Sequence, residues 1–230
     1  MNAIERELKL TPEDPALLDR LAAAPRLGPF EVVHAERERQ RNTFFDTPTR
    51  ALGSARLAFR RRTLAGQVMA TWTLKAEGEA VRGIASRPEV EVQLAADTPP
   101  ALAIGALGQA ARQRSASALA EQLSDALVSG SPGLPRFEAY LEMSTDRRLR
   151  MLRAPAEGWQ AELALDRVQL IGHAYAEVEL EVELRRGDER ALEAARTAIA
   201  ELGPVRESHG SKLSRALEHL AVCGCRLPPS

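Results

Sequence analysis

The chain has 230 residues, of which 44% are hydrophobic and 27% charged, and its formal net charge is −1 at pH 7. This composition is typical of a protein with a substantial buried core, and the near-zero charge provides no overall field that would attract a nucleic acid. Aromatic residues make up 4% of the chain, which argues against a platform for base stacking. We therefore expect neither a nucleic acid nor a membrane as a partner.

From the sequence we expect neither a signal peptide nor a transmembrane segment. Its first residues, MNAIERELKL, carry charges where a signal peptide has a long apolar run, which predicts a cytoplasmic protein. Because no repeat or long linker divides the chain, we expect one domain over residues 1–225 and a tail or truncated linker at 226–230. Two cysteines, Cys223 and Cys225, are too few for a disulfide framework or a metal site.

The first predicted elements are a strand over residues 2–10 and a helix with Thr11 as its N-cap and Pro12 at its first position. An extended pattern returns in FEVVHAERERQRNTFFDT and ends at a turn signal over residues 46–48. Three more strands are predicted in ARLAFRRRTL, QVMATWTLKAEG and RPEVEVQL.

Residues 98–135 are rich in alanine with helical spacing. Strand patterns then resume in DRRLRMLR, WQAELALD and AYAEVELEVELRRGD. An amphipathic helix, DERALEAARTAIAEL, ends before Gly203 and Pro204, and a last short helix is predicted in SKLSRALEHLAV. The elements together predict the α+β class with antiparallel strands.

Charged residues alternate with apolar ones along many of these strands. In AEVELEVEL the glutamates share one face, and in AFRRR two arginines stand two residues apart. Side chains two residues apart on a strand lie about 7 Å from each other, so like charges there repel unless counter-ions lie between them. For any single strand, a solvated polar face is the commonest explanation.

The near-pure charge of several strands together favours a different explanation. If the sheet closes with its charged face inward, acidic strands can hold divalent cations and basic strands can hold an anion. Carboxylate oxygens suit Mg²⁺ or Mn²⁺, which also bridge to phosphate oxygens. A linear chain of phosphates, which is a small-molecule partner, meets both requirements.

The motif Glu5-x-Glu7-x-Lys9 resembles the ExExK signature of the CYTH superfamily, the triphosphate tunnel metalloenzymes. The chain agrees with that family in order through NTFFDTP, TLK, RPEVEV, STDRRLR, AELALD, VELEVELRRGD and SKLSRAL. The resemblance is greatest to bacterial inorganic triphosphatases. It implies an eight-stranded antiparallel β-barrel with helices outside, which hydrolyses inorganic triphosphate (tripolyphosphate) to diphosphate and phosphate with Mg²⁺ or Mn²⁺.

The resemblance also implies roles for individual residues. The implied metal ligands are Glu5, Glu7, Glu179, Glu181 and Glu183. The implied phosphate ligands are Lys9, Arg60, Arg62, Lys75, Arg148, Arg150 and Lys212. The implied catalytic set is Glu5, Glu7, Lys9, Arg60, Arg62 and Lys75, while Glu89, Glu91, Glu162 and Asp166 line the tunnel without an assigned role. The choice of Arg148 and Arg150 over Arg147 rests on strand register, which a slip of one residue reverses.

Other functions stay open at this point. Hydrolysis of thiamine triphosphate or another organic triphosphate needs a wall for the organic group; Trp72 and Trp159 are available, but we expect both in the core. A class IV adenylyl cyclase needs a pocket for adenine and ribose, and no aromatic or Asn/Gln cluster stands out. A non-catalytic polyphosphate-binding module has no use for so many carboxylates.

Overall fold

The computed structural model describes residues 4–81, 84–114, 116–130 and 135–224. Within these ranges the strands are β1 (Ile4–Pro12), β2 (Arg26–Leu27), β3 (Phe30–Asp46), β4 (Leu57–Leu64), β5 (Met69–Ala76), β6 (Glu79–Val81), β7 (Ile84–Ala95), β8 (Glu138–Ala154), β9 (Trp159–Leu170), β10 (Ala176–Arg186) and β11 (Val205–Glu207). The helices are α1 (Leu17–Ala23), α2 (Ala51–Ser54), α3 (Pro100–Gln113), α4 (Ser117–Gly130), α5 (Glu189–Leu202) and α6 (Lys212–Val222).

The strands form one large antiparallel sheet in the order β11-β1-β10-β9-β8-β3-β4-β5-β7-β6, with β2 beside β3. An additional pairing joins β1 to β7. Strand β1 therefore has a partner on each side, β7 along residues 4–8 and β10 along residues 7–10. The predicted α+β class with an antiparallel sheet is confirmed, and the sheet contains more strands than the eight predicted, because β2, β6 and β11 are additional strands of two or three residues.

The apolar face of the sheet is covered by the helices, as predicted. Leu180 and Val182 of β10 are buried with residues of α5 such as Leu192. On another part of the sheet, Trp72 of β5 is fully buried with Leu107 of α3. Helix α6 covers a third apolar cluster, which includes residues of β3, β8 and β9. Because apolar side chains occupy this face, the alternate charged side chains point to the other one.

Two predicted boundaries are wrong. Strand β1 continues to Pro12, which pairs with Val205 of β11, and α1 begins only at Leu17 after Ala16 as its N-cap. The cap and proline signal at Thr11 is therefore overridden by strand pairing. The helical spacing of the alanine-rich section is confirmed, and this section forms two helices, α3 and α4.

The predicted tail at 226–230 lies outside the described residues. In the described part of the chain, none of the helices combines the length and the apolar character that spanning a membrane requires.

Candidate functional site

The charged faces of the strands surround a cavity of about 1040 Å³. Its walls contain both acidic and basic side chains, and they come from strands that are distant in sequence. Of the residues predicted to form the site, the cavity is lined by Glu7, Lys9, Arg60, Arg62, Lys75, Glu89, Glu91, Glu162, Glu181, Glu183 and Lys212. Along the strands, buried apolar residues such as Leu8, Leu74, Val90 and Val182 alternate with these side chains, and the alternation directs the charged groups inward.

Glu7 is buried at the centre of a group of cations. Its Oε1 atom lies 3.3 Å from Lys9 Nζ, 3.6 Å from Lys75 Nζ and 3.3 Å from Arg87 Nη2. The Lys75 ammonium also lies 2.5 Å from Glu89 Oε2. Glu7 Oε1 accepts no hydrogen bond in the described structure, so this carboxylate is held mainly by charge.

Two arginines on β4 share one carboxylate. The Nη2 atoms of Arg60 and Arg62 lie 3.7 Å and 3.6 Å from Glu91 Oε1, and Arg60 also donates a hydrogen bond to Thr73 Oγ1 at 3.2 Å. Burial and the like charge of Arg60 lower the pKa of Arg62, while Glu91 opposes that shift. Both guanidinium groups face the cavity, where such groups suit an anion.

A second cluster of charges lies deeper, between β8, β9, β10 and α6. Arg147 donates two hydrogen bonds to Asp166 and one to Glu181 Oε2 at 2.7 Å. Lys212 contacts Asp166, Glu179 and Glu181. Burial raises the pKa of Glu181, but Lys212, Lys9 and Arg147 outweigh it and hold the pKa well below its usual value.

The predicted positions of Arg148 and Arg150 are wrong. Both lie on the opposite face of β8, where Arg148 Nη1 is 2.8 Å from Asp19 Oδ1 on α1. Arg150 donates hydrogen bonds to the carbonyl oxygens of Leu21 and Ala24, at and just beyond the C-terminal end of α1. The residue that lines the cavity is Arg147. The run DRRLR places arginines on both faces of the strand, so its pattern did not reveal which of them point into the cavity.

Three further predicted residues need separate comment. Glu179 does not line the cavity; it is fully buried and contacts Lys212, Arg215 and Ser208. Asp166 is likewise fully buried behind the cavity wall. Glu5 lies opposite Arg87 in the pairing of β1 with β7, and its side chain is outside the described part of the structure.

Several residues that line the cavity were not predicted from the sequence. The cations among them are Arg6, Arg87, Arg114, Arg147, Arg185 and Arg186, and the amides are Gln40, Asn42, Gln67 and Gln93. Arg87 and Gln93 share their alternation with Glu89 and Glu91 on β7, and this pattern was a usable signal for both. The amides come from β3, from β7 and from the turn between β4 and β5, so the cavity is not lined by charged side chains alone.

The carboxylates of the cavity offer the oxygen ligands that Mg²⁺ and Mn²⁺ prefer. In the strand register Glu7 lies opposite Glu183, and Glu183 lies opposite Glu162, which gives a row of acidic residues across β1, β10 and β9. In the described part of the chain no three Asp, Glu, His or Cys side chains are already gathered as ligands. Arg185 contacts both Glu183 and Glu162, at 2.6 Å and 2.9 Å. The donor chemistry and the Glu7 oxygen without a hydrogen bond fit a divalent cation.

Comparisons with known proteins agree with this fold. The model of the CYTH domain family matches residues 3–217. A search among curated proteins returned no similar sequence.

Among solved structures, one similar chain is HpAC1 from Hippeastrum, described as a candidate adenylyl cyclase with a dominant triphosphatase activity. The two sequences are 22% identical, the match covers 97% of this chain and 98% of that chain, and the TM-score is 0.65. A candidate adenylate cyclase from Bacillus halodurans is 20% identical, with 93% and 98% covered and a TM-score of 0.53. A protein from Pyrococcus horikoshii is 15% identical, with 93% and 99% covered and a TM-score of 0.51. These identities show a shared fold alone. Since the family model matches most of the sequence, the chain belongs to the CYTH domain family.

Proposed function

We propose that this protein is a metal-dependent triphosphatase that hydrolyses inorganic triphosphate to diphosphate and phosphate. The observation that carries the proposal is the convergence of cations from several strands and from α6 on one cavity: Lys9, Arg60, Arg62, Lys75, Arg87, Arg147 and Lys212. Arginine and lysine bind phosphate oxygens through charge-assisted hydrogen bonds. A short, highly charged anion is the ligand that matches so many cations in so small a space. In this function the protein is similar to bacterial inorganic triphosphatases.

The proposal includes a closed tunnel of eight strands. Its support is the double pairing of β1, which joins β7 on one side and β10 on the other. With this pairing, β1, β10, β9, β8, β3, β4, β5 and β7 follow each other in a ring. A closed sheet separates the cavity from solvent on its sides, which strengthens the attraction between its charges and a phosphate chain.

The ion pairs in the cavity indicate which contacts a bound substrate would replace. Lys75 and Arg60 contact Glu89 and Glu91, and phosphate oxygens would replace these carboxylates as partners. Arg60, Arg62 and Lys75 then neutralise charge on the phosphoryl group that is transferred to water.

Glu7, Glu183 and Glu162, together with Glu5, would hold Mg²⁺ or Mn²⁺, which when bound supplies further neutralisation of the phosphate oxygens and a more acidic water. Of these carboxylates, Glu7 is the one that Lys9 and Lys75 release when they bind phosphate. The resulting protein is an enzyme rather than a passive phosphate binder, because a binder gains nothing from the acidic wall.

Hydrolysis of a triphosphate with an organic group is a second candidate, which one observation favours. Uncharged side chains also line the cavity, among them Gln40, Asn42, Gln67, Gln93 and Phe44. The buried Asn42 Oδ1 has no hydrogen-bond partner there, so it is available to a hydroxyl or amino group. Trp72 does not contribute, because it is buried against Phe45 and Phe59 in the core.

Phosphate release from tripolyphosphate, ATP and thiamine triphosphate tests both candidates. Each substrate is assayed with Mg²⁺, with Mn²⁺ and with a chelator. Inorganic triphosphatase activity predicts the highest kcat/KM for tripolyphosphate and none with the chelator. A higher kcat/KM for ATP or thiamine triphosphate would instead establish the second candidate.

A further inference from the structure

We propose that Asp166 is a positioning residue that fixes the directions of Arg147 and Lys212 in the cavity without contacting the substrate. This inference rests on the proposed function, because it assigns the two cations to the binding of a triphosphate. It concerns a side chain that is fully buried behind the cavity wall.

The contact between Asp166 and Arg147 determines the orientation of the guanidinium group. Arg147 Nε donates to Oδ1 at 2.8 Å, and Arg147 Nη2 donates to Oδ2 at 2.6 Å. A pair of parallel hydrogen bonds fixes the plane of a guanidinium group as well as its distance. Arg147 also lines the cavity. The orientation that Asp166 gives to the guanidinium group is therefore its orientation in the site.

Asp166 also binds the second cation. Lys212 Nζ lies 3.1 Å from Asp166 Oδ2, the same oxygen that accepts from Arg147 Nη2. Lys212 is the first residue of α6 and lines the cavity as well. One oxygen of Asp166 therefore holds together two cations from different elements, β8 and α6, which like-charge repulsion would otherwise separate.

Other carboxylates near these cations have different positions. Glu181 contacts both Arg147 and Lys212, but it lines the cavity and can exchange them for phosphate or metal. Asp166 does not line the cavity, so no ligand in the cavity replaces its contacts. Glu179 is also buried and outside the cavity lining, but of the two cations it contacts Lys212 alone. Asp166 is therefore the carboxylate that retains both cations when a triphosphate is bound.

The outer surface provides a matched control. Asp19 on α1 also bridges two arginines, since Oδ1 lies 2.8 Å from Arg148 Nη1 and Oδ2 lies 3.2 Å from Arg167 Nη2. Its side chain is 58% exposed and belongs to the opposite face of the sheet. Replacing Asp by Asn at either position removes the same charge from a pair of cations, but only one pair reaches the cavity.

The experiment compares Asp166→Asn and Asp19→Asn with the parent in tripolyphosphate hydrolysis. For Asp166→Asn we expect KM to rise by about tenfold or more in protein whose folding is verified by circular dichroism, which corresponds to about 1.4 kcal/mol of lost binding. For Asp19→Asn we expect KM within about twofold of the parent, as for other surface substitutions. A merely structural role of Asp166 lowers the melting temperature and leaves KM of the folded protein unchanged, and that result would overturn the proposal.

A second variant covers the case in which Asp166→Asn does not fold. Arg147→Lys retains the charge but cannot form the two parallel hydrogen bonds, so the same rise in KM is expected. An unchanged KM in Arg147→Lys contradicts the proposal.

A structural readout separates this inference from the proposed function. In a crystal structure of Asp166→Asn, or of Arg147→Lys if the first variant does not fold, we expect Lys212 or the residue 147 side chain to leave its position in the parent. Unchanged positions of both would overturn the inference, whatever the substrate is. If the parent does not hydrolyse tripolyphosphate, the proposed function fails, and the crystal structures still decide whether Asp166 positions the two cations.

Discussion

Lys75 and Glu89 face each other across β5 and β7, with Lys75 Nζ 2.5 Å from Glu89 Oε2. The same ammonium lies 3.6 Å from Glu7 Oε1. Cations of the cavity such as Lys75 are thus paired with the carboxylates beside them. In the proposed function, a polyanion replaces Glu7 as a partner of Lys75, and Glu7 then becomes available to a divalent cation. The proposal thus connects the basic and acidic walls of the cavity through an exchange of ion pairs.

The first prediction concerns Arg60, which lines the cavity and shares Glu91 with Arg62. We expect Arg60→Ala to lower kcat/KM for tripolyphosphate by more than about tenfold. In the proposed function, the contact between Arg60 and the transferred phosphoryl group strengthens as charge develops in the transition state. Arg60→Lys should restore only part of the activity, since an ammonium does not reproduce the guanidinium fork. Initial rates over a range of tripolyphosphate concentrations give kcat/KM for the parent and for both variants.

The control for Arg60 is Arg136→Ala, which removes an arginine whose side chain is 79% exposed and paired with Glu138. We expect this variant to retain the parent activity. Binding is followed separately as the rise in melting temperature that tripolyphosphate produces. An Arg60→Ala variant with the parent's activity and the parent's thermal shift would show that β4 does not bind phosphate.

The second prediction tests the register of β8. Arg147→Ala should reduce kcat/KM for tripolyphosphate by more than about tenfold, because Arg147 lines the cavity. Arg148→Ala should leave kcat/KM nearly unchanged, because Arg148 contacts Asp19 on the outer face. Both residues are arginines and they are adjacent in β8. The variant with the larger loss of kcat/KM therefore identifies the arginine that faces the cavity. The reverse order of effect would contradict the register described here.

The third prediction concerns the stability effect of Glu7. Repulsion among carboxylates alone predicts that Glu7→Gln stabilises the protein, but Glu7 is the shared counter-ion of Lys9, Lys75 and Arg87. We therefore expect Glu7→Gln to lower the free energy of unfolding by on the order of 3 kcal/mol, as when one partner of a buried ion pair is removed. Urea denaturation without ligand measures the difference.

Glu36→Gln is the control for Glu7→Gln, because Glu36 is exposed and its nearby partner is His34. Its free energy of unfolding should stay within about 0.5 kcal/mol of the parent. Equal or higher stability of Glu7→Gln would show that the carboxylate is not a counter-ion. Loss of metal-dependent turnover in the same variant is expected independently, from the loss of a metal ligand.

The fourth prediction is a pH dependence of stability. Burial raises the pKa of Asp166, but Arg147 and Lys212 outweigh it and hold the pKa below its usual value, which is about 3.9. A carboxyl with a lower pKa in the folded state stabilises the protein above the unfolded pKa, and this contribution is lost as pH falls through the folded pKa. The difference in free energy of unfolding between parent and Asp166→Asn should therefore be constant from about pH 7 to 5 and shrink below about pH 4. Urea denaturation at each pH gives this difference, and a constant difference down to about pH 3 contradicts the prediction.

The alternation of charged and apolar residues was sufficient to predict most of the sheet. In β10, for example, Leu180 and Val182 are buried on one face while Glu181 and Glu183 line the cavity on the other. The pattern works there because each face carries one kind of side chain. It could not reveal β2, β6 and β11, because strands of two or three residues are too short to show a period.

The pattern failed where both faces of a strand carry polar residues. Arg147 lines the cavity, while Arg148 and Arg150 bind α1 on the outside. The outer arginines satisfy a helix end and an exposed carboxylate, which are tertiary partners that a single strand does not reveal. For the same reason, burial of Glu179 behind Lys212 could not be read from its place in a run of four glutamates.

The most direct test of the central claim is the rate of phosphate release from tripolyphosphate by the purified protein with Mg²⁺ or Mn²⁺, beside the Arg60→Ala variant. We expect turnover by the parent, no turnover with a chelator, and a loss of more than about tenfold in Arg60→Ala. Absence of turnover with either cation, or equal turnover in the parent and the variant, would contradict the claim that this cavity hydrolyses inorganic triphosphate.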